Sequence, residues 1–343
     1  MVDDINVAQN LVNELYPGQL YAVDTEFERS RTFCINPALL QIRINDAFYL
    51  VDIALKDIAE LFMPAVKNLI LHSGSEDLEL WHQVTGEKPA EVFDTQVAAA
   101  LCGFSLHTSY QNVVKAVFDV DLTQGMSRSD WLQRPLSSDQ QAYAIEDVYY
   151  LKQLQEVFNE QLNDRHLRPL FDVLMQQTLN LIDEDYHSEK LYQKWMQKQR
   201  LSKEDGVKLW RLLGWRDQQA KQRNKPRNWI LKPPQMLQIV HQVNEFEDLF
   251  SLDLYPKFVK THGRELISAM QDSQGYGEPP AVVKLNAIQG RSLNQMKQKI
   301  KQVTTEKSLD PALIINAQSL KKLVFTGGDL EDLPTWRALL DSL

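Results

Sequence analysis

Leu20-Tyr21-Ala22-Val23-Asp24-Thr25-Glu26-Phe27-Glu28 decides how the chain is read. An apolar run ends in an acidic triplet, the pattern of a buried strand whose end carries charge. Side chains alternate along a strand, so Asp24 and Glu26 share a face, about 7 Å apart along the chain. Two carboxylates fixed that close repel each other unless a cation lies between them. A hard divalent ion with oxygen ligands, Mg2+ or Mn2+, is the natural occupant. A solvated turn can carry the same triplet, so its meaning depends on what other segments bring to it.

The chain has 343 residues, 43% hydrophobic and 24% charged, which allows two or three domains with cores of their own. No apolar run approaches the ~18 residues of a membrane span, and Met1-Val2-Asp3-Asp4 lacks the basic start of a signal peptide. Cys34 and Cys102 are the only cysteines, and their spacing fits neither a disulfide framework nor a zinc site. A cytoplasmic protein with no membrane partner and no small-molecule cofactor is expected. The net charge of −9 argues against a nucleic-acid partner, but the charge is unevenly spread. From Lys190 to Lys232 thirteen Lys and Arg residues face only Glu204, Asp205 and Asp217. That local excess, with Trp195, Trp210, Trp215 and Trp229 interleaved, suits a reader of nucleic-acid backbone. The tryptophans are expected inside, because a small helical domain needs them for its core.

Along the chain, a helix over 5–16 precedes strand-like runs at 20–24, 39–44 and 48–52. A helix over 58–66 and a short strand at 69–72 come next. Gly74-Ser75-Glu76 opens a helix to about residue 84, and two more helices are expected over 94–101 and 110–118. Ser137-Ser138-Asp139 caps a long helix running through Tyr143, Asp147 and Leu151. Strands interleaved with helices give an α/β domain over residues 1–190. Beyond it strand signals vanish. Helical periodicity covers 200–274, Pro279-Pro280 marks a linker, and a second helical group covers 284–343. Pro226…Trp229-Ile230-Leu231…Leu237 resembles Pro311…Leu313-Ile314-Ile315…Leu320, as a duplicated small domain would.

Two further acidic sites can join Asp24 and Glu26. One lies in His72-Ser73-Gly74-Ser75-Glu76-Asp77, where spacing does not choose between Glu76 and Asp77. The other is Tyr143-Ala144-Ile145-Glu146-Asp147, whose i, i+4 spacing puts Tyr143 and Asp147 on one helix face. Taken in order, Asp-x-Glu, a distant Asp and Tyr-x-x-x-Asp resemble the DEDD 3′–5′ exonuclease superfamily in its tyrosine-bearing branch. The histidine-bearing branch places a His where Ala142 stands. Within that branch the resemblance is to the bacterial ribonuclease D family. It rests on Asp24-Thr25-Glu26-Phe27, His72 to Asp77, Asp94-Thr95-Gln96, Ser127-Arg128-Ser129-Asp130-Trp131 with Arg134-Pro135-Leu136, and Tyr143 to Tyr150. Trp215-Arg216-Asp217, with Asn224-Lys225-Pro226-Arg227 and Trp229-Ile230-Leu231, resembles the HRDC domain of that family and of Bloom-type helicases.

The resemblance implies a ribonuclease H-like α/β exonuclease domain, a mixed central sheet flanked by helices, followed by two small all-α HRDC-type domains. It implies that Asp24, Glu26, Asp77 and Asp147 hold two divalent metal ions and that Tyr143 orients the attacking water. It further implies RNA, tRNA precursors included, as the partner, met by Arg216, Arg223, Lys225 and Arg227. Where relatives often carry a lysine this chain has Gln124, which implies a looser hold on a phosphate. Arg128 and Arg134 are candidates for phosphates or for nearby acids, Asp130 and Trp131 for shaping the groove or for capping and packing. His72 is expected to be structural. A 3′–5′ DNA exonuclease and an inactive RNA-binding module are the rival expectations.

Overall fold

Strand β1 (Leu20–Glu28) lies at the middle of a five-stranded mixed sheet in the computed structural model. The structure describes residues 1–123, 125–126, 129–182, 187–199, 201–272 and 275–342. The other strands are β2 (Asn36–Ile44), β3 (Ala47–Val51), β4 (Asn68–Leu71) and β5 (Glu91–Asp94), in the order β3-β2-β1-β4-β5. β1, β2 and β3 pair antiparallel, while β4 and β5 run parallel to β1. β5 was not expected: four residues are too few to show an alternation. The pairing of β1 is lopsided. β2 follows it to Glu28, with a bulge after Glu26, but β4 leaves it at Ala22. The acidic half of β1 is therefore open on one side.

Helices α1 (Ile5–Val12), α2 (Lys56–Phe62), α3 (Ser75–Thr85), α4 (Thr95–Leu101) and α5 (Tyr110–Phe118) are followed by α6 (Ser138–Tyr149), α7 (Leu151–Asp164) and α8 (Arg168–Leu181). α6 starts where its cap signal lies: the Ser137 hydroxyl accepts from Gln140 N, and the Gln140 side chain returns to Ser137 N. The long helix expected there is two, α6 and α7, broken at Tyr150. Its apolar face covers the sheet beside β1, β2 and β3, where Leu39, Leu50, Trp131, Tyr143 and Ala144 form a small core of their own.

The chain divides into two compact units. The first comprises Met1–Glu28, Ile35–Asp183 and Leu285–Leu343, the second Arg29–Cys34 and Glu184–Lys284. In the second, α9 (His187–Lys198), α10 (Lys203–Arg223), α11 (Arg227–Ile230), α12 (Pro233–Gln242) and α13 (Pro256–Gln271) surround a core holding Trp195, Leu212, Trp215, Met236 and Leu266. Asn224, in the left-handed conformation that ends α10, accepts from Phe33 N and Cys34 N. The C-terminal α14 (Ala287–Glu306), α15 (Ala317–Phe325) and α16 (Pro334–Leu340), expected as a separate small domain, fall within the first unit. α16 packs on α8, and Ile300, Leu313, Trp336 and Leu339 belong to the same apolar cluster as the sheet. Helical periodicity shows that a face is buried; it does not show against what. No helix among the described residues is long and apolar enough to cross a membrane.

Candidate active site

At the half-open end of β1, carboxylate oxygens of Asp24, Glu26 and Asp147 all lie within 4.8 Å of one another. The strand supplies the first two from one face, and α6 supplies Asp147 from above that face. Asp77, in the first turn of α3, approaches by another route. Its Oδ1 accepts from Thr25 N at 3.1 Å and from the Thr25 hydroxyl at 2.5 Å. Of the two acids that spacing left open, Asp77 is turned inward and buried, while Glu76 is exposed. The Tyr143 hydroxyl donates to Asp147, and its ring packs against Trp131 with centroids 6.1 Å apart.

Crowding of like charge away from water marks every acid of the group. Burial, then the neighbouring Asp77, Asp147 and Glu26, holds the Asp24 carboxyl well above the usual range. Burial and the charges of Asp147 and Asp77 push Glu26 up to about 9. Burial raises Asp147 to about 7 against the lowering effect of Tyr143, and raises Asp77 to about 6 against its bonds from Thr25. Tyr143 itself is raised by burial first and Asp147 second, so its hydroxyl keeps its proton. A second signature is Gln41, the partner of Asp24 across β1 and β2. It is fully buried, and neither atom of its carboxamide has a hydrogen-bond partner. Oxygen-only donors, mutual repulsion and an orphaned amide together fit a hard divalent cation.

Two supports of the site were not read as site residues in the sequence. Asp94, at the end of β5, accepts from Ser73 N, Gly74 N and Gln96 N at 2.8–3.1 Å. It thereby holds the turn before α3, where Ser73 has a positive φ of 61° and no side chain caps the helix. Gly74 is required there, because a Cβ would stand 2.4 Å from Leu71 Cδ1. Tyr110 does similar work beyond Asp147, donating to the Glu146 carbonyl and accepting from Tyr150 N. His72 has both ring nitrogens engaged, Nε2 with the Thr108 carbonyl and Nδ1 with the Thr95 hydroxyl, and burial lowers its basicity. It is a structural group, not a free base.

The pattern of the 3′–5′ exonuclease family matches residues 1–163. Ribonuclease D of Psychromonas ingrahamii is 33% identical over 78% of this chain and 74% of its own. The chain belongs to the ribonuclease D family. Ribonuclease D of Xanthomonas oryzae pv. oryzae is 31% identical over 92% of this chain and 89% of its own. The crystal structure of Escherichia coli RNase D shares the fold, with a TM-score of 0.80 over 94% of this chain and 89% of that one, at 24% identity. As a member of that family the protein is a 3′–5′ exoribonuclease, a hydrolase that depends on divalent metal and takes RNA as its substrate.

Other residues singled out in the sequence are placed as follows. Arg134 is spent on an acid: its Nε and Nη2 meet the two oxygens of Asp52 at 2.6 Å, and it also donates to the Trp131 and Ala38 carbonyls. Trp131 is buried behind Tyr143, and Asp130 Oδ1 accepts from Leu132 N, so both pack or cap. Gln124 and Arg128 lie outside the described residues. Arg216 requires a correction. Only 1% exposed and bonded to Asp217, it has no surface to offer a phosphate. Counting charges along a helix does not reveal which of them face inward. Arg227 also bonds Asp217 and lies over the Phe33 ring, half-buried, whereas Arg223 and Lys225 are exposed. Trp195 and Trp215 are buried as expected; Trp229 is 61% exposed.

Proposed function

We propose that Asp24, Glu26, Asp77 and Asp147 hold two divalent ions, Mg2+ or Mn2+, and that Tyr143 positions the water that attacks the terminal phosphodiester. The observation that carries this reading is the convergence of three carboxylates within 4.8 Å beside a tyrosine that donates to one of them. Divalent ions at such a site acidify water and offset the charge that develops on the phosphate and on the leaving oxygen. Everything else is positioning by the chain. Thr25 and Asp94 fix Asp77, and Tyr110 fixes the helix end that carries Asp147. Tyr143, protonated, holds the water by a hydrogen bond and does not remove its proton.

In the reaction the water oxygen bonds to phosphorus and the bond from phosphorus to O3′ breaks. The shortened RNA leaves with a protonated 3′-hydroxyl, and the released nucleotide keeps its 5′-phosphate. The physiological substrates are tRNA precursors and other structured RNAs with accessible 3′ ends, met in the cytoplasm. The basic second unit, of HRDC type, contacts the backbone through Arg223 and Lys225.

The test is cleavage of 3′-labelled and 5′-labelled single-stranded RNA with Mg2+, with Mn2+ and with EDTA. Immediate release of labelled mononucleotide from the 3′ end, and a stepwise ladder from the 5′ label, both lost in EDTA, are expected. Internal cuts overturn the polarity. Equal rates on DNA remove the dependence on the 2′-hydroxyl. Binding without cleavage makes the protein an inactive module.

A further inference from the structure

We propose that the groove between Trp229 and Tyr255 in the second unit is a stacking subsite for one unpaired RNA base, flanked by phosphate-binding cations. The groove has a volume of about 460 Å³ and is lined by Arg223, Trp229, Lys232, Tyr255, Lys257 and His262 among others. Trp229 is 61% and Tyr255 71% exposed, while Ile230, Leu231 and Leu254 beneath them are buried. The core of this unit is complete without Trp229, since Trp195 and Trp215 already fill it. Two large aromatic faces held out in solvent beside a concave apolar floor mark a binding surface.

The charge of the lining identifies the occupant. Arg223, Lys232 and Lys257 contribute cations, and among the described lining residues there is no carboxylate. Lys225 stands 5.7 Å over the Trp229 ring, and Arg223 is steadied by Gln219 and His262. Cations alone would suit any polyanion, and aromatic faces alone would suit any apolar segment. Only a nucleotide chain brings a flat base and its phosphates together in one repeat. The subsite deepens the exoribonuclease reading and rests on it.

The test uses the Asp24→Asn protein, expected to bind without turnover under the proposed function, and a single-stranded oligoadenylate. Trp229→Ala and Tyr255→Ala should each weaken binding by roughly tenfold and leave the salt dependence alone, because stacking releases no counterions. Lys232→Gln should instead flatten the slope of log affinity against log salt by about 0.7. Trp229→Phe should restore most of the loss. A second measurement leaves the groove unmutated: an oligoadenylate with one abasic position, walked along the chain, should lose affinity at one register and lose nothing further against Trp229→Ala. Unchanged affinity in both alanine variants overturns the proposal. So does tighter binding of an acidic peptide than of RNA with the same dependence on Trp229, which would make the groove a protein-docking site. Wild-type protein that releases mononucleotides while the variants bind normally overturns the groove alone. Wild-type protein that releases none removes the exoribonuclease reading.

Discussion

Tyr143 is held so that it cannot serve as the base. Burial and the adjacent Asp147 carboxylate, to which its hydroxyl donates, both oppose loss of its proton, so the role proposed for it is to hold water by a hydrogen bond and not to act as base. Tyr143→Phe keeps the packing against Trp131 and removes that bond. The expected result is a fall of about 100-fold in kcat with KM nearly unchanged, as misplacement of the attacking water causes. A rise in KM with kcat intact would place the hydroxyl on substrate binding instead. Asp94 works one step further out. Replacing it by Ala leaves the N–H groups of Ser73, Gly74 and Gln96 without their acceptor, and the loss at the buried Gly74 N–H costs about 1–3 kcal/mol. Asp94→Ala should lower both Tm and the calorimetric affinity for Mn2+. Asp94→Asn keeps one accepting oxygen and should fall between it and the wild type. Equal Mn2+ affinity in all three proteins would show that the turn holds Asp77 without help.

At the scale of elements, β1 and α6 are pressed together with their carboxylates facing. Strand alternation put Asp24 and Glu26 on one face, and helix spacing put Tyr143 with Asp147, so these four were legible in the sequence. Asp77 was legible only as one of two acids, because its choice depends on how α3 meets the Thr25 hydroxyl. The strand Glu91–Asp94 and the clamp at its end were not legible at all, since both exist only through pairing with β4 and its turn. The facing carboxylates have a consequence for stability. Folded values for Asp77, Asp147 and Glu26 stand at about 6, 7 and 9, above the ordinary carboxylate range. Without metal the native state therefore holds more protons than the unfolded chain, and stability falls as pH rises from about 4 to about 9. Divalent metal binds the deprotonated carboxylates, so it should stabilise most at the alkaline end and reverse the trend. Melting curves in EDTA and in Mg2+ across that range check both signs. Asp24→Asn should flatten the EDTA curve, and a curve in EDTA that rises with pH would contradict the crowding of charge.

The whole molecule divides differently from the order of its sequence. The basic second unit interrupts the first, and the last segment of the chain returns to the core that carries the acidic site. Charge and tryptophan content set the basic segment apart in the sequence, and helical periodicity made the C-terminal helices a domain of their own, whereas the structure groups those helices with the first unit. The two arrangements differ in what unfolds together. Trp336 is fully buried in the cluster it shares with Phe93, Phe171 and Leu179, and α16 packs on α8. Trp336→Ala should cost about 3–5 kcal/mol, as truncation of a large buried ring does. The decisive point is which transition moves. Metal held at the site proposed between β1, α3 and α6 stabilises the unit that contains it, so the melting transition that shifts with Mn2+ reports that unit. If the C-terminal helices are part of that unit, Trp336→Ala lowers the Mn2+-sensitive transition. If they fold on their own, the Mn2+-sensitive transition stays where it is and a separate, insensitive one moves. The shared apolar cluster predicts the first outcome, and with it that deletion of residues 285–343 impairs the exonuclease core.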